Sequence, residues 1–124
     1  MADKFKAKQI GPEKRHVLHI ANRGGADMAI GEAKSSYDWN YHSIVNNAPP
    51  NSGVYAIFNT AVCIYVGESE DIQARLAQHL KGDTRITRNA PTGFQFELVP
   101  AAQRVTRQNQ LIAALNPVCN RKTG

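Results

Sequence analysis

Past Glu97 the sequence contains no carboxylate, while Arg104, Arg107, Arg121 and Lys122 all fall there. That absence makes the C-terminal quarter purely cationic and excludes an acidic metal ligand from it. Over the whole chain Lys and Arg number 15 against 10 Asp and Glu, a net charge of +5 that favours a polyanionic partner. Cysteine is scarce: Cys63 and Cys119 are the two present, and they follow neither metal-ligand nor disulfide-framework spacing. Both are expected as reduced thiols in apolar surroundings, with no zinc site. No apolar run approaches the roughly 18 residues of a membrane span, and the opening "MADKFKAKQIGPEKR" lacks the apolar core of a signal peptide. A soluble, intracellular, cytoplasmic protein is expected. At 124 residues the chain suits one compact domain with a modest core.

Residues 1–15 alternate Lys with small or apolar residues around Gly11 and Pro12, the composition of a mobile basic arm. From 16 to 36 an apolar patch at Val17, Leu18 and Ile20 precedes the Gly24, Gly25 break, and helix and strand stay undecided. In "YDWNY", an extended segment would put Tyr37, Trp39 and Tyr41 on one face, to cover the core or to stack on bases. The turn-rich "NNAPPNSG" then separates an N-terminal extension, residues 1–50, from an organised domain over 51–124.

The organised part opens on "GVYAIF" and "CIYVG", two β-prone runs separated by "NTA" that read as a hairpin. Its register decides where two tyrosines lie. A two-residue loop at 60 and 61 pairs Tyr55 with Val66 and sends Tyr55 and Tyr65 to opposite faces, whereas a three-residue loop over 59–61 pairs the tyrosines. In "GESEDIQARLAQHL", Ser69 as N-cap and the four-residue repeat of Ile72, Leu76 and Leu80 predict a helix over 70–80. Asp71, Arg75 and His79 form the row beside that stripe. A basic loop, a strand "FQFELV" and a second helix "QRVTRQNQLIAAL" that stops before Pro117 complete a β-β-α-β-α order. On the second helix Val105, Leu111, Ile112 and Leu115 share a face, and the polar Gln108 sits among them.

These elements resemble the GIY-YIG endonuclease domain. The resemblance covers roughly residues 53–120 and rests on "GVY" at 53–55, "YVG" at 65–67, Arg75 with His79 four residues on, and "PVCN" at 117–120. It implies an α/β (α+β) fold with a small antiparallel central sheet flanked by helices. It also implies phosphodiester hydrolysis with one divalent metal, Mg²⁺ or Mn²⁺, and tyrosines lining the active site with one of them deprotonating the attacking water. Tyr55 or Tyr65 would be that base, which requires a nearby cation or metal because a phenol ordinarily titrates near 10. Arg75 would grip phosphate oxygens with its guanidinium fork, His79 would hold the scissile phosphate or pass a proton, and Asn120 would position groups around the site. Each also has a structural reading: cross-strand aromatics, an Arg75 paired with Asp71, a surface histidine.

The sequence departs from the family at one position. The resemblance implies a metal-binding glutamate nine residues before the proline, at 108, and this chain has Gln108. An amide oxygen is a poorer ligand for a hard dication than a carboxylate, so weakened catalysis is expected unless another acid substitutes, Glu68 first, or Glu70 or Glu97. Three readings follow: a metal-dependent nuclease acting on DNA, a non-catalytic nucleic-acid-binding relative holding phosphates with Arg75, Arg85, Arg88, Arg104 and Arg107, or a module for an acidic protein partner. Cutting both strands with so small a domain would take a homodimer on DNA or two binding events.

Overall fold

Three apolar runs of β-prone residues, at 53–59, 62–69 and 93–98, pair into one sheet because no single one can bury both of its faces alone. The computed structural model describes residues 36–120. The basic arm of 1–15, nearly all of the undecided segment after it, and Arg121 and Lys122 lie outside the described residues. Strands β1 (Tyr37–Asp38), β2 (Gly53–Asn59), β3 (Val62–Ser69) and β4 (Gly93–Leu98) form an antiparallel sheet in the order β1-β4-β2-β3. Helices α1 (Tyr41–Asn47), α2 (Ile72–Gly82), α3 (Thr84–Thr87) and α4 (Arg104–Leu115) flank it. The expected α+β class and the β-β-α-β-α order are those of the structure, with β1 and α1 added in front and the short α3 added after α2. Residues 36–50, grouped with the extension on composition, therefore join the sheet and pack α1 against α2.

Strand β2 lies between β3 and β4 and is buried on both faces, which is why "GVYAIF" reads as a continuous apolar run. Val54, Ala56 and Phe58 join Cys63, Val66 and Val99 beneath Leu111 of α4. Burial pushes the Cys63 thiol up to about 12, which keeps it a protonated, unreactive thiol. On the opposite face Tyr55 and Ile57 join Ile64, Phe94 and the apolar sides of α1, α2 and α3.

The hairpin register is neither of the two that loop length allows. A two-residue turn pairs Asn59 with Val62, with Thr60 at φ 49°, and Phe58 still pairs with Cys63; then a bulge leaves Ile64 over, and Ile57 pairs with Tyr65 and Tyr55 with Gly67. The extra residue shifts the register by one. Ile64 and Tyr65 thereby both join the Tyr55 face, and the two tyrosines become diagonal neighbours without an odd loop.

Helix α2 is capped by Asp71, not Ser69: Asp71 Oδ1 accepts from the Ala74 amide at 2.9 Å, while the Ser69 hydroxyl accepts from the Asp71 amide. Asp71 thus turns its carboxylate to the helix end instead of to Arg75. The aromatic trio of "YDWNY" also divides. Asn40 caps α1 and turns the chain, so Tyr37 and Trp39 pack on the core while Tyr41, on α1, is 62 % exposed. Part of the expected basic loop is helix α3, started by Asp83. On α4, Leu111 is buried and Ile112 and Leu115 lie against it, but Val105 is 56 % exposed, since only the later turns of the helix overlie the sheet.

Candidate active site

Two glycines bring the tyrosine face together. Gly67 lies directly across from Tyr55, and a Cβ there would meet the Tyr55 hydroxyl and come within 2.6 Å of its Cζ and 2.9 Å of Tyr65 Cε2. A Cβ at Gly53 would run into the Glu97 carbonyl and come within 2.8 Å of Ile72 Cδ1. The "GVY" and "YVG" glycines are therefore places where ring and backbone approach too closely for a side chain.

Tyr55 is 0 % exposed, and its hydroxyl lies 2.7 Å from Nε2 of His79, itself 7 % exposed. The Tyr55 and Tyr65 ring centroids are 6.2 Å apart and each faces the imidazole, at 5.6 and 5.0 Å. His79 Nδ1 lies 3.0 Å from Asp83 Oδ2. Around this chain of groups stand Arg75, exposed on α2, and Arg85, whose side chain is 57 % exposed and whose guanidinium lies 6.0 Å from the Tyr65 ring centre.

The electrostatics follow from burial. Loss of water, together with the Tyr65 hydroxyl and opposed by Arg75, pushes the Tyr55 phenol far above its ordinary range. Burial holds the His79 imidazole below 6.5 although Asp83 favours its charged form; Arg75 and Arg85 add to the lowering. Burial alone would raise the Asp83 carboxyl, but hydrogen bonds from His79 and the Ile86 amide win and hold it below the usual value.

The structure brings four of the five residues expected from the resemblance, Tyr55, Tyr65, Arg75 and His79, to one face. Asn120 stands at the sheet edge beside them. Its Oδ1 accepts from Val66 N at 2.7 Å and its Nδ2 donates to Val66 O at 2.9 Å, so its amide completes the outer side of edge strand β3 between Tyr65 and Gly67. Asp83 escaped the sequence reading. The signal was present, since 71, 75, 79 and 83 continue one row at four-residue spacing.

The opposite face treats the remaining candidates differently. Gln108 lies half-buried on α4, one turn after Arg104. Glu68, the expected substitute acid, accepts from Arg104 Nε at 2.7 Å, and Arg104 also donates to Ser52 Oγ at 2.9 Å. Arg107 grips Glu97 through Nε and Nη2, at 3.1 and 2.9 Å to Oε1. Arg104 and Arg107 are thus held in ion pairs within the domain, while Arg85 and Arg88 are exposed. A surface cleft of about 440 Å³ opens between Arg75 and Arg104, with Glu68, Glu70 and Asp71 on its walls. Among the described residues no three His, Cys, Asp or Glu side chains gather to hold a metal ion, and none of the helices is long and apolar enough to cross a membrane.

Comparison with known proteins gives the same fold. The GIY-YIG N-terminal endonuclease domain of UvrC from Thermotoga maritima, solved as a Tyr-to-Phe variant bound to its catalytic divalent cation, superposes with a TM-score of 0.57 at 23 % identity, covering 66 % of this chain and 96 % of that one. The same domain with magnesium gives 0.54 at 21 % identity, covering 63 % and 92 %. No curated protein sequence matches significantly. Residues 51–111 match the sequence profile of the GIY-YIG catalytic domain. The profile match, on a fold shared with the UvrC domain, gives this chain a GIY-YIG domain of nuclease type.

Proposed function

We propose that this protein is an endonuclease that binds DNA and hydrolyses its phosphodiester bonds at the Tyr55 face. The observation that carries the reading is the 2.7 Å approach of the Tyr55 hydroxyl to His79 Nε2 in a buried setting. A buried tyrosine has no route to a phenolate by itself, and a neighbouring base gives its proton a destination. Arg75, exposed beside it, supplies a planar fork for two phosphate oxygens and for the charge that grows on them during attack. Arg85 and Arg88 extend the cationic surface on the same side and suit the flanking phosphates.

The UvrC domains hold a catalytic divalent cation, and a dication that neutralises charge on the attacked phosphate is what that likeness would bring here. This chain's side chains do not fit a tightly held one. Gln108 offers a neutral amide, and the Glu68 carboxylate is already engaged by Arg104. The chemistry is therefore derived from the chain's own groups: Arg75 orients the phosphate, and Tyr55, whose buried hydroxyl is opened to the attacking water as the substrate docks, takes a proton from it. One observation favours a second reading, a domain that binds DNA without cutting it, namely Gln108 itself.

A supercoiled-plasmid nicking assay with Mg²⁺ or Mn²⁺ separates the two. The wild type is expected to nick, Arg75→Ala to nick at least about 100-fold more slowly, and Gln108→Glu to nick faster. A wild type that binds plasmid and never nicks it overturns the nuclease reading in favour of binding alone.

A further inference from the structure

The proton path of Tyr55 has a third member. Asp83 ends α2 and begins α3, with Oδ2 3.0 Å from His79 Nδ1 and Oδ1 3.4 Å from the Ile86 amide and 3.6 Å from Arg85 Nε. A carboxylate only accepts, so the hydrogen between it and the imidazole resides on Nδ1. A neutral imidazole carries a single N–H, so Nε2 presents its lone pair and the Tyr55 O–H donates to it across 2.7 Å. We infer that Asp83 is a positioning residue that fixes His79 as the proton acceptor for Tyr55, forming an Asp83, His79, Tyr55 relay. Its catalytic use rests on the nuclease reading above; its effect on the tautomer does not.

The step balances as follows. A proton leaves the attacking water for Tyr55 Oη while the proton of Tyr55 moves to His79 Nε2. The phenol is regenerated, and one proton has passed from water to imidazole. The electron pair of the resulting hydroxide forms the new bond to phosphorus, the bond to the leaving oxygen breaks, and that oxygen keeps the pair and takes a proton from solvent. His79 later returns its proton to solvent.

The surroundings of the ring explain why an acid is needed there. Tyr55 on β2 and Tyr65 on β3 face it with their rings, Arg75 on α2 and Arg85 on α3 oppose its protonation, and Asp83 is the carboxylate that favours it. In a site with little water, an imidazolium formed in the step has Asp83 as its counter-charge, the logic by which the acid of a serine-protease triad acts through its histidine.

The test is Asp83→Asn. It retains an oxygen to cap α3, but its amide nitrogen then faces Nδ1 and donates to it, which moves the ring N–H to Nε2, where it cannot accept from Tyr55. Long-range ¹⁵N–¹H spectra of the imidazole, taken above its titration range, are expected to show Nδ1–H in the wild type and Nε2–H in Asp83→Asn. Plasmid nicking by the variant is expected to fall about 100-fold in kcat with KM unchanged. A wild-type ring in the Nε2–H form overturns the inference, as does a variant that keeps Nδ1–H or that nicks at the wild-type rate. If neither protein nicks, the nuclease reading fails separately, and the ring spectrum alone decides the role of Asp83. Should Asp83→Asn not fold, Tyr55→Phe serves, because the Nδ1–H tautomer set by Asp83 must survive loss of the phenol, and a swap to Nε2–H refutes it.

Discussion

Gly67→Ala puts a methyl group where the structure has no room for one. The new Cβ meets the Tyr55 hydroxyl, lies 2.6 Å from its Cζ and 2.9 Å from Tyr65 Cε2, all well inside ordinary carbon contact near 3.5 Å. Tyr55 is fully buried, so its ring tip must be driven roughly 1 Å into packed neighbours to restore contact. Overpacking of this kind costs about 1–3 kcal/mol. The same displacement disturbs the 2.7 Å contact of the phenol with His79 Nε2, and a buried acceptor that loses its donor adds about 1–3 kcal/mol. The total of about 2–6 kcal/mol is a large part of the stability of a small domain. Gly82→Ala is the internal control: nothing lies within 4 Å of its Cβ at the end of α2, and the change is expected to be neutral or to stabilise by up to about 1 kcal/mol. Urea denaturation of the three proteins measures both effects. A Gly67→Ala protein as stable as Gly82→Ala, with the Tyr55 to His79 hydrogen bond intact by NMR, would refute the argument that Gly67 makes room for the ring.

Two further outcomes are expected. Asn120→Ala removes both hydrogen bonds to Val66 and is expected to cost about 2 kcal/mol, at about 1 kcal/mol each, with faster hydrogen exchange at the Val66 amide; unchanged protection there would mean that solvent replaces the clamp without loss. Acidification should destabilise the fold in two stages. His79 has a folded pKa below 6.5, so the unfolded chain binds more protons as the pH falls below about 6.5, and stability drops with it. Asp83 has a folded pKa below the usual carboxylate value, so its contribution is present above about 4 and disappears as the pH falls through that lower value. His79→Gln should remove the first stage; a wild-type midpoint in urea that is level from pH 7 to pH 5 would count against it.

The motif reading rested on residues whose pattern is local. The four-residue row of Arg75 and His79 and the β-prone apolar runs carry their own local pattern, and they put Tyr55, Tyr65 and His79 in the right elements. The register did not follow from loop length, because a bulge at Ile64 depends on how β3 packs against α2 and α3, not on its turn. The ion pairs of Arg104 and Arg107 were not legible because their partners, Glu68 and Glu97, are 36 and 10 residues away in sequence. Asp83 was visible as one more step in the row at 71, 75 and 79, yet it fell just past the expected helix end.

Sequence alone determined the order of the main strands and helices and the elements that hold Tyr55, Tyr65, Arg75 and His79, since each follows from side-chain chemistry and short-range spacing. Tertiary structure decided which of them meet. It turned Tyr55 towards His79, made Gly67 the space for a ring, and paired Glu68 and Glu97 with arginines. Those outcomes depend on contacts between strands and helices distant in the chain, and excluded volume in a packed core permits only one arrangement of them.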